Sequence, residues 1–90
     1  MADELVVGTV VAAEQQPGAR APALLLTVDL GTYGREQTVI GGSEPDVVLG
    51  TQLICRRAED GVVVICARSH AKGDVPLRPD DEVEPGTLVG

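Results

Sequence analysis

Aromatic side chains are almost absent from this chain: Phe and Trp do not occur, and Tyr33 is the one tyrosine. Proteins that hold single-stranded nucleic acid usually stack bases on aromatic rings, so an aromatic-rich platform of that kind is excluded. Basic residues are scarce as well, with seven Lys and Arg against fourteen Asp and Glu and a net charge of -7. Without an overall positive field there is no sequence-wide counterion-release drive, which excludes a uniformly basic nucleic-acid binder. Two cysteines are too few for a disulfide scaffold. No apolar run approaches the roughly 18–20 residues of a membrane-spanning helix. No basic segment leads into an apolar one at Met1, so a cytoplasmic chain is expected.

What remains is dense in Val, Leu and Ile. Hydrophobic residues make up 43% and charged residues 23% of 90 residues, the profile of one folded domain spanning 1–90. A domain of this size buries only about 60–65% of its unfolded surface. Sharing a core between two copies would add burial, so a homodimer is expected.

Runs of Val, Leu, Ile and Thr broken by Gly and Pro predict a small all-β domain. Leu5 to Glu14 reads as the first strand, with Gly8 marking a bulge or bend. Two prolines and a glycine make 16–22 a loop. Ala23 to Leu30 is the second strand. Its alternation puts Leu24, Leu26, Val28 and Leu30 on one face, and leaves Leu25 as an apolar residue on the other. Gly31 to Gly34 is a turn, Arg35 to Ile40 a third strand, and 41–45 a loop. Asp46 to Leu49 reads as one helical turn ending at Gly50. Thr51 to Ala58 and Val62 to Ala67 form a hairpin joined at Asp60-Gly61, a dipeptide favoured in type I′ turns. Five short strands with glycine bends suggest a closed barrel.

That hairpin register would set Cys55 opposite Cys66. In a reducing compartment the pair reads as two small buried hydrophobes, with a disulfide as the alternative. A three-residue loop would shift the register and remove the pairing. Cys55, Cys66, His70 and Asp74 lack the C-x2-C element usual in structural zinc sites. Gly31 and Gly34, and the pair Gly41-Gly42, match no phosphate-binding glycine motif. Ser69 and His70 are sequence neighbours, which does not give the geometry of nucleophile and base. No catalytic residue, metal or cofactor is therefore expected.

Charge is uneven. Residues 1–31 hold four acids and one base, 32–72 five of each, and 73–90 five acids and one base. An anion-binding face, if there is one, draws on the middle segment: Arg35, Arg56, Arg57, Arg68 and Lys72. Ordinary solvated strand-face charges are the competing reading.

Four stretches resemble the small tRNA-binding OB-fold family, which includes free-standing tRNA-binding proteins, CsaA-type secretion chaperones and modules appended to tRNA synthetases. Glu4-Leu5-Val6-Val7-Gly8-Thr9-Val10-Val11 is similar to the family's opening D-L-R-V-G-x-I-V. Pro17 through Gly31 resembles P-x-A-R-K-P-A-Y-K-L-x-I-D-F-G. Pro45 through Cys55 follows P-E-D-L-I-G-x-Q-V-V-C, and Leu77 through Gly90 is close to L-x-P-D-x-x-V-P-P-G-x-x-V-G. The chain departs from the pattern where Leu24, Leu25 and Thr27 replace the family's second-strand Tyr and Lys. It also lacks the N-L-x-P-R-K hairpin insert, turning from Arg57 through Asp60-Gly61 to Val62.

The resemblance implies a five-stranded Greek-key OB barrel, usually a homodimer, that is non-catalytic and binds tRNA or, in the CsaA branch, unfolded peptide segments. It makes the run Asp80 to Glu84 a connector instead of an interaction tail. Under the RNA reading, the leading one from the resemblance, Arg35, Arg56, Arg57 and Arg68 meet phosphates, with Tyr33 and Thr38 near the same end. Under the peptide reading exposed apolar positions such as Leu25 dock a partner.

Overall fold

Alternation of β-branched and polar residues dictates strands throughout. The computed structural model describes residues 4–16, 18, 20–41, 49–69 and 73–89. The expected helical turn at Asp46 to Leu49 lies largely outside them, as do His70 and Lys72. Among these residues seven strands follow in order: β1 (Glu4–Gln15), β2 (Ala23–Asp29), β3 (Arg35–Gly41), β4 (Gln52–Ala58), β5 (Gly61–Val64), β6 (Cys66–Ser69) and β7 (Gly73–Pro76). A 3-10 turn, Gly31–Tyr33, links β2 to β3. Among the described residues there is no α-helix.

Five strands form one antiparallel sheet in the order β3-β2-β1-β4-β5. Successive antiparallel pairings make the two outer strands, β3 and β5, run parallel to each other. They pack together without a hydrogen-bonded ladder. The result is an OB-like barrel, nearly closed, and the all-β expectation holds.

The core is aliphatic, as the composition requires. Val6, Val10, Leu24, Leu26, Val28, Leu30, Leu53, Cys55, Val62 and Val64 form one buried cluster. The predicted inward face of β2 is intact in it. No polar or charged residue is buried as a whole among the described residues, so aliphatic packing fills the barrel interior.

Four local expectations are corrected. β1 does not bulge at Gly8, because its pairing with β4 is continuous from Glu4↔Arg57 to Thr9↔Gln52. The register shift falls between Val10 and Ala12. Gly8 is needed for space: a Cβ there would lie 2.9 Å from Leu30 Cδ2 and 3.4 Å from Cys55 Sγ. The β4–β5 turn is Glu59-Asp60, closed by Ala58↔Gly61, so Cys55 pairs with Val64 and not with Cys66. Gly61, at φ 136°, begins β5 in a conformation that glycine tolerates. Cys55 is buried, Cys66 is exposed, and neither is in a disulfide. Lastly, Val62 to Ala67 is not one strand. The chain leaves the barrel after Ile65, forms the separate β6–β7 hairpin, and returns at Leu77. The Leu77 amide donates to the Ile65 carbonyl (2.9 Å) and the Leu77 carbonyl accepts from Ile54 (2.9 Å).

The C-terminal segment completes the barrel wall. Along the first half of β1 it takes the edge that β2 does not reach. Gly86 N–H donates to the Val7 carbonyl (2.7 Å), Val7 N–H to Thr87 (2.9 Å), and Val89 N–H to Leu5 (2.8 Å). Two glycines let it pass. A Cβ on Gly31 (φ 65°) would run into the Pro85 carbonyl, and one on Gly86 (φ 88°) into the Leu30 carbonyl.

Candidate binding face

Strand alternation sorts the sequence-predicted site residues onto different surfaces. Leu53, Cys55 and Arg57 share the inward face of β4, whereas Gln52, Ile54 and Arg56 face out. Arg56 and Arg57 therefore point to opposite sides of the barrel wall. Arg57 sits at the barrel mouth, where its guanidinium lies 4.1 Å from the centroid of the Tyr33 ring. It also bonds Glu4 Oε1, its cross-strand partner, at 3.1 Å. Its Nε is buried without a hydrogen-bond partner. This guanidinium is engaged in tying β1, β4 and the 3-10 turn together.

The other candidates are dispersed. Arg35 is exposed at the start of β3, directly across from Asp29. Thr38 pairs with Leu26 and so shares its inward-facing side, half-buried. Leu25 is half-buried on the outer face, paired with the exposed Val39. Arg68 belongs to β6, in the second sheet, and its side chain lies outside the described residues. Of the six residues in the RNA reading, the structure brings together Tyr33 and Arg57.

Two features of the outer wall were not anticipated. The first is Gln52. Its side-chain amide acts as a short strand toward Val83: Nε2 donates to the Val83 carbonyl (2.6 Å), and Oε1 accepts from the Val83 amide (2.9 Å). Nε2 also reaches Thr9 Oγ1 at 3.1 Å. This clamp lays the acidic run Asp80 to Glu84 across the barrel beside Thr9 and Gln52, which fits the connector role expected of it.

The second feature is an apolar row. Leu5 is paired with Arg56, and Arg56 with Val63, across the outward side of β1, β4 and β5. Val89 continues the row on the other edge of β1 through its bond to Leu5. Leu5, Val63 and Val89 remain 38%, 49% and 39% exposed. The signal in the sequence was Leu5-Val6-Val7, a run apolar on both faces of a strand.

With this geometry established, the chain was compared with known proteins. No family model matches it. The chaperone CsaA of Bacillus anthracis strain Ames superimposes with a TM-score of 0.82 at 28% identity, covering 98% of this chain and 91% of that one. The chain is CsaA-like. The CsaA chaperone of Picrophilus torridus matches with the same TM-score of 0.82 at 20% identity, over 98% of this chain and 92% of that one. The second likeness shows the shared fold. The resemblance carried by the four sequence stretches thus extends to the whole CsaA-like barrel. Among the described residues no group of three or more His, Cys, Asp or Glu side chains is suited to a metal ion, and no helix is long and apolar enough to cross a membrane.

Proposed function

We propose that this CsaA-like chain is a non-catalytic binding module that takes extended peptide segments of other proteins. The observation that carries this reading is the exposed row Leu5, Val63 and Val89 on the outside of the barrel. An apolar row on a sheet face suits the side chains of an unfolded segment. The arginines support phosphate binding less well. Arg57 is committed to Glu4 and Tyr33, Arg35 stands across from Asp29, and the chain carries a net charge of -7. We further assign it to the cytoplasm and expect it to act as a homodimer.

Binding of structured RNA is the second reading. The stack of Arg57 on Tyr33 and the exposed Arg56 favour it, since guanidinium and aromatic faces both suit contacts to RNA. Arg35, Thr38 and Arg68 would extend that contact. Fluorescence anisotropy separates the two readings. Labelled bulk tRNA and a labelled unfolded peptide are titrated with the protein at two salt concentrations. Peptide binding that barely changes with salt, with no tRNA binding at low salt, is the expected result. Salt-sensitive tRNA binding, falling about 0.7–0.9 log units per log salt for each phosphate contacted, without peptide binding would overturn it.

A further inference from the structure

The pairing of β1 with β2 begins at Thr9, so the edge of Leu5, Val6 and Val7 is left for another segment, and the chain itself fills it. Three backbone bonds hold that segment: Gly86 N–H to the Val7 carbonyl (2.7 Å), Val7 N–H to the Thr87 carbonyl (2.9 Å) and Val89 N–H to the Leu5 carbonyl (2.8 Å). It runs antiparallel to β1, with Leu88 opposite Val6. Its side chains add little burial. Thr87, Leu88 and Val89 are all exposed, Leu88 at 60%. A strand held at the surface by backbone bonds, with little apolar burial, opens at lower cost than the core strands. Gly86 is its selective position. With Pro85 it forms a turn closed by Thr87 N–H to the Glu84 carbonyl (3.1 Å). Its φ of 88° is the one that the third residue of a type II turn requires. A Cβ there would run into the Leu30 carbonyl.

We propose that Pro85 to Val89 is a built-in occupant of the peptide site, and that the ligand is an extended, uncharged segment of another protein that takes the same three bonds when this occupant lifts away. The proposal rests on the peptide-binding reading above and names its ligand chemistry. The occupant on the page defines that chemistry: Pro85-Gly86-Thr87-Leu88-Val89 carries no charge and sets two aliphatic residues after a glycine and a spacer. A ligand needs the glycine to pass the Leu30 carbonyl. Elsewhere it is read through its backbone, as in other strand additions, so its remaining side chains vary freely. The seat is continuous with the apolar row, because the residue bonded to Leu5, now Val89, extends it. Segment and ligand compete for one edge. The apparent affinity is therefore that of the open seat, reduced by the fraction of molecules in which the seat is open.

Isotope-labelled intact protein, titrated with the capped peptide Pro-Gly-Thr-Leu-Val and followed by NMR at the Val7 amide, tests this. Gly86→Ala disables the built-in segment and leaves the seat unchanged, so it should bind the peptide about tenfold or more tightly than the wild type. Val89→Pro removes the bond to Leu5 at an exposed position and should bind it about three- to tenfold more tightly. Gly34→Ala, with a similar φ of 85° but open space around its Cβ, should keep the wild-type affinity. The same peptide with alanine in place of glycine should gain nothing in any variant. No gain in Gly86→Ala or Val89→Pro overturns the proposal. An equal gain for the alanine peptide overturns it as well, since that marks a loosened surface instead of a seat. A Val7 response that grows with protein concentration in the absence of peptide would give the seat to a second copy, and also overturns it. An unfolded peptide of unrelated sequence separates the failures. Where the gain is absent and the wild type binds that peptide, the peptide-binding reading stands alone; where it binds neither peptide, both fall.

Discussion

Arg57 lies over the ring of Tyr33, 4.1 Å from its centroid, and the same guanidinium holds Glu4 at 3.1 Å. Three segments far apart in sequence meet at this one side chain: the start of β1, the end of β4 and the turn after β2. Its neighbour Arg56 faces the other way, so two adjacent arginines serve different purposes. One fastens the barrel mouth and the other belongs to the outer wall.

Substituting them separately should therefore split stability from binding. Arg57→Ala loses a partly exposed cation–π contact and a partly exposed ion pair, and should lower stability by about 1–2 kcal/mol. Arg56→Ala should lower the urea midpoint less than Arg57→Ala does and alter ligand affinity or its salt dependence. A double-mutant cycle of Arg57→Ala with Tyr33→Leu should give a coupling of ~0.5–1 kcal/mol. Zero coupling would mean the stack contributes nothing.

Gln52 should prove as important to the connector as any residue within it. Its amide satisfies both backbone groups of Val83 and reaches Thr9. Gln52→Leu keeps the bulk and removes all three bonds, leaving the Val83 amide without its acceptor. Net hydrogen-bond values of ~0.5–1.5 kcal/mol each predict a loss of about 2 kcal/mol. Hydrogen exchange is the direct readout: the Val83 amide should lose protection far more than the core amides of β2. Equal protection in the variant would show that the connector is held by other contacts.

How much of this could be read from the sequence depends on the period of the signal. The alternation of β2 placed Leu24, Leu26, Val28 and Leu30 in the core, because a strand has only two faces. The same period hides a slip of two residues. Pairing Cys55 with Cys66 or with Val64 keeps every inward residue inward, so hydrophobic pattern could not choose, and the turn at Glu59-Asp60 decides. Val62 to Ala67 reads as one apolar run, and nothing in its composition marks the departure at Ile65. The opposed directions of Arg56 and Arg57 were legible from alternation, while the seat of the C-terminal segment on β1 was not. That seat is made by backbone bonds, to which side-chain patterns are blind.

Three glycines with positive φ should respond differently to the same substitution. Gly31 (φ 65°), Gly34 (φ 85°) and Gly86 (φ 88°) all carry the conformational cost of a left-handed residue. A Cβ on Gly34 meets nothing within 4 Å, whereas on Gly31 or Gly86 it collides with a backbone carbonyl of the facing segment. Gly34→Ala should cost ~1 kcal/mol. Gly31→Ala and Gly86→Ala should each cost ~3 kcal/mol or more, since backbone must move. Urea denaturation of the three variants makes the comparison. Similar losses at all three would mean the C-terminal segment yields easily.

The two thiols should differ in both reactivity and pH behaviour. Cys55 is fully buried, and burial pushes its pKa from 9.0 up to about 11, against a smaller lowering by the Gly8 backbone amide. Cys66 is exposed. A thiol reagent at pH 8 should modify one cysteine per chain in the native protein and two in denaturant, because the thiolate is the attacking species. Linkage gives the sign of the stability effect. An acid whose folded pKa is raised contributes its stability fully below the unfolded pKa of 9.0 and loses it as pH rises through about 11. A shift of this size corresponds to about 3 kcal/mol at ~1.4 kcal/mol per unit. Urea midpoints of the wild type should therefore fall between pH 9 and 11 more steeply than those of Cys55→Ala, which lacks the titrating group. Parallel curves would show that the Cys55 thiolate is accommodated in the barrel without loss.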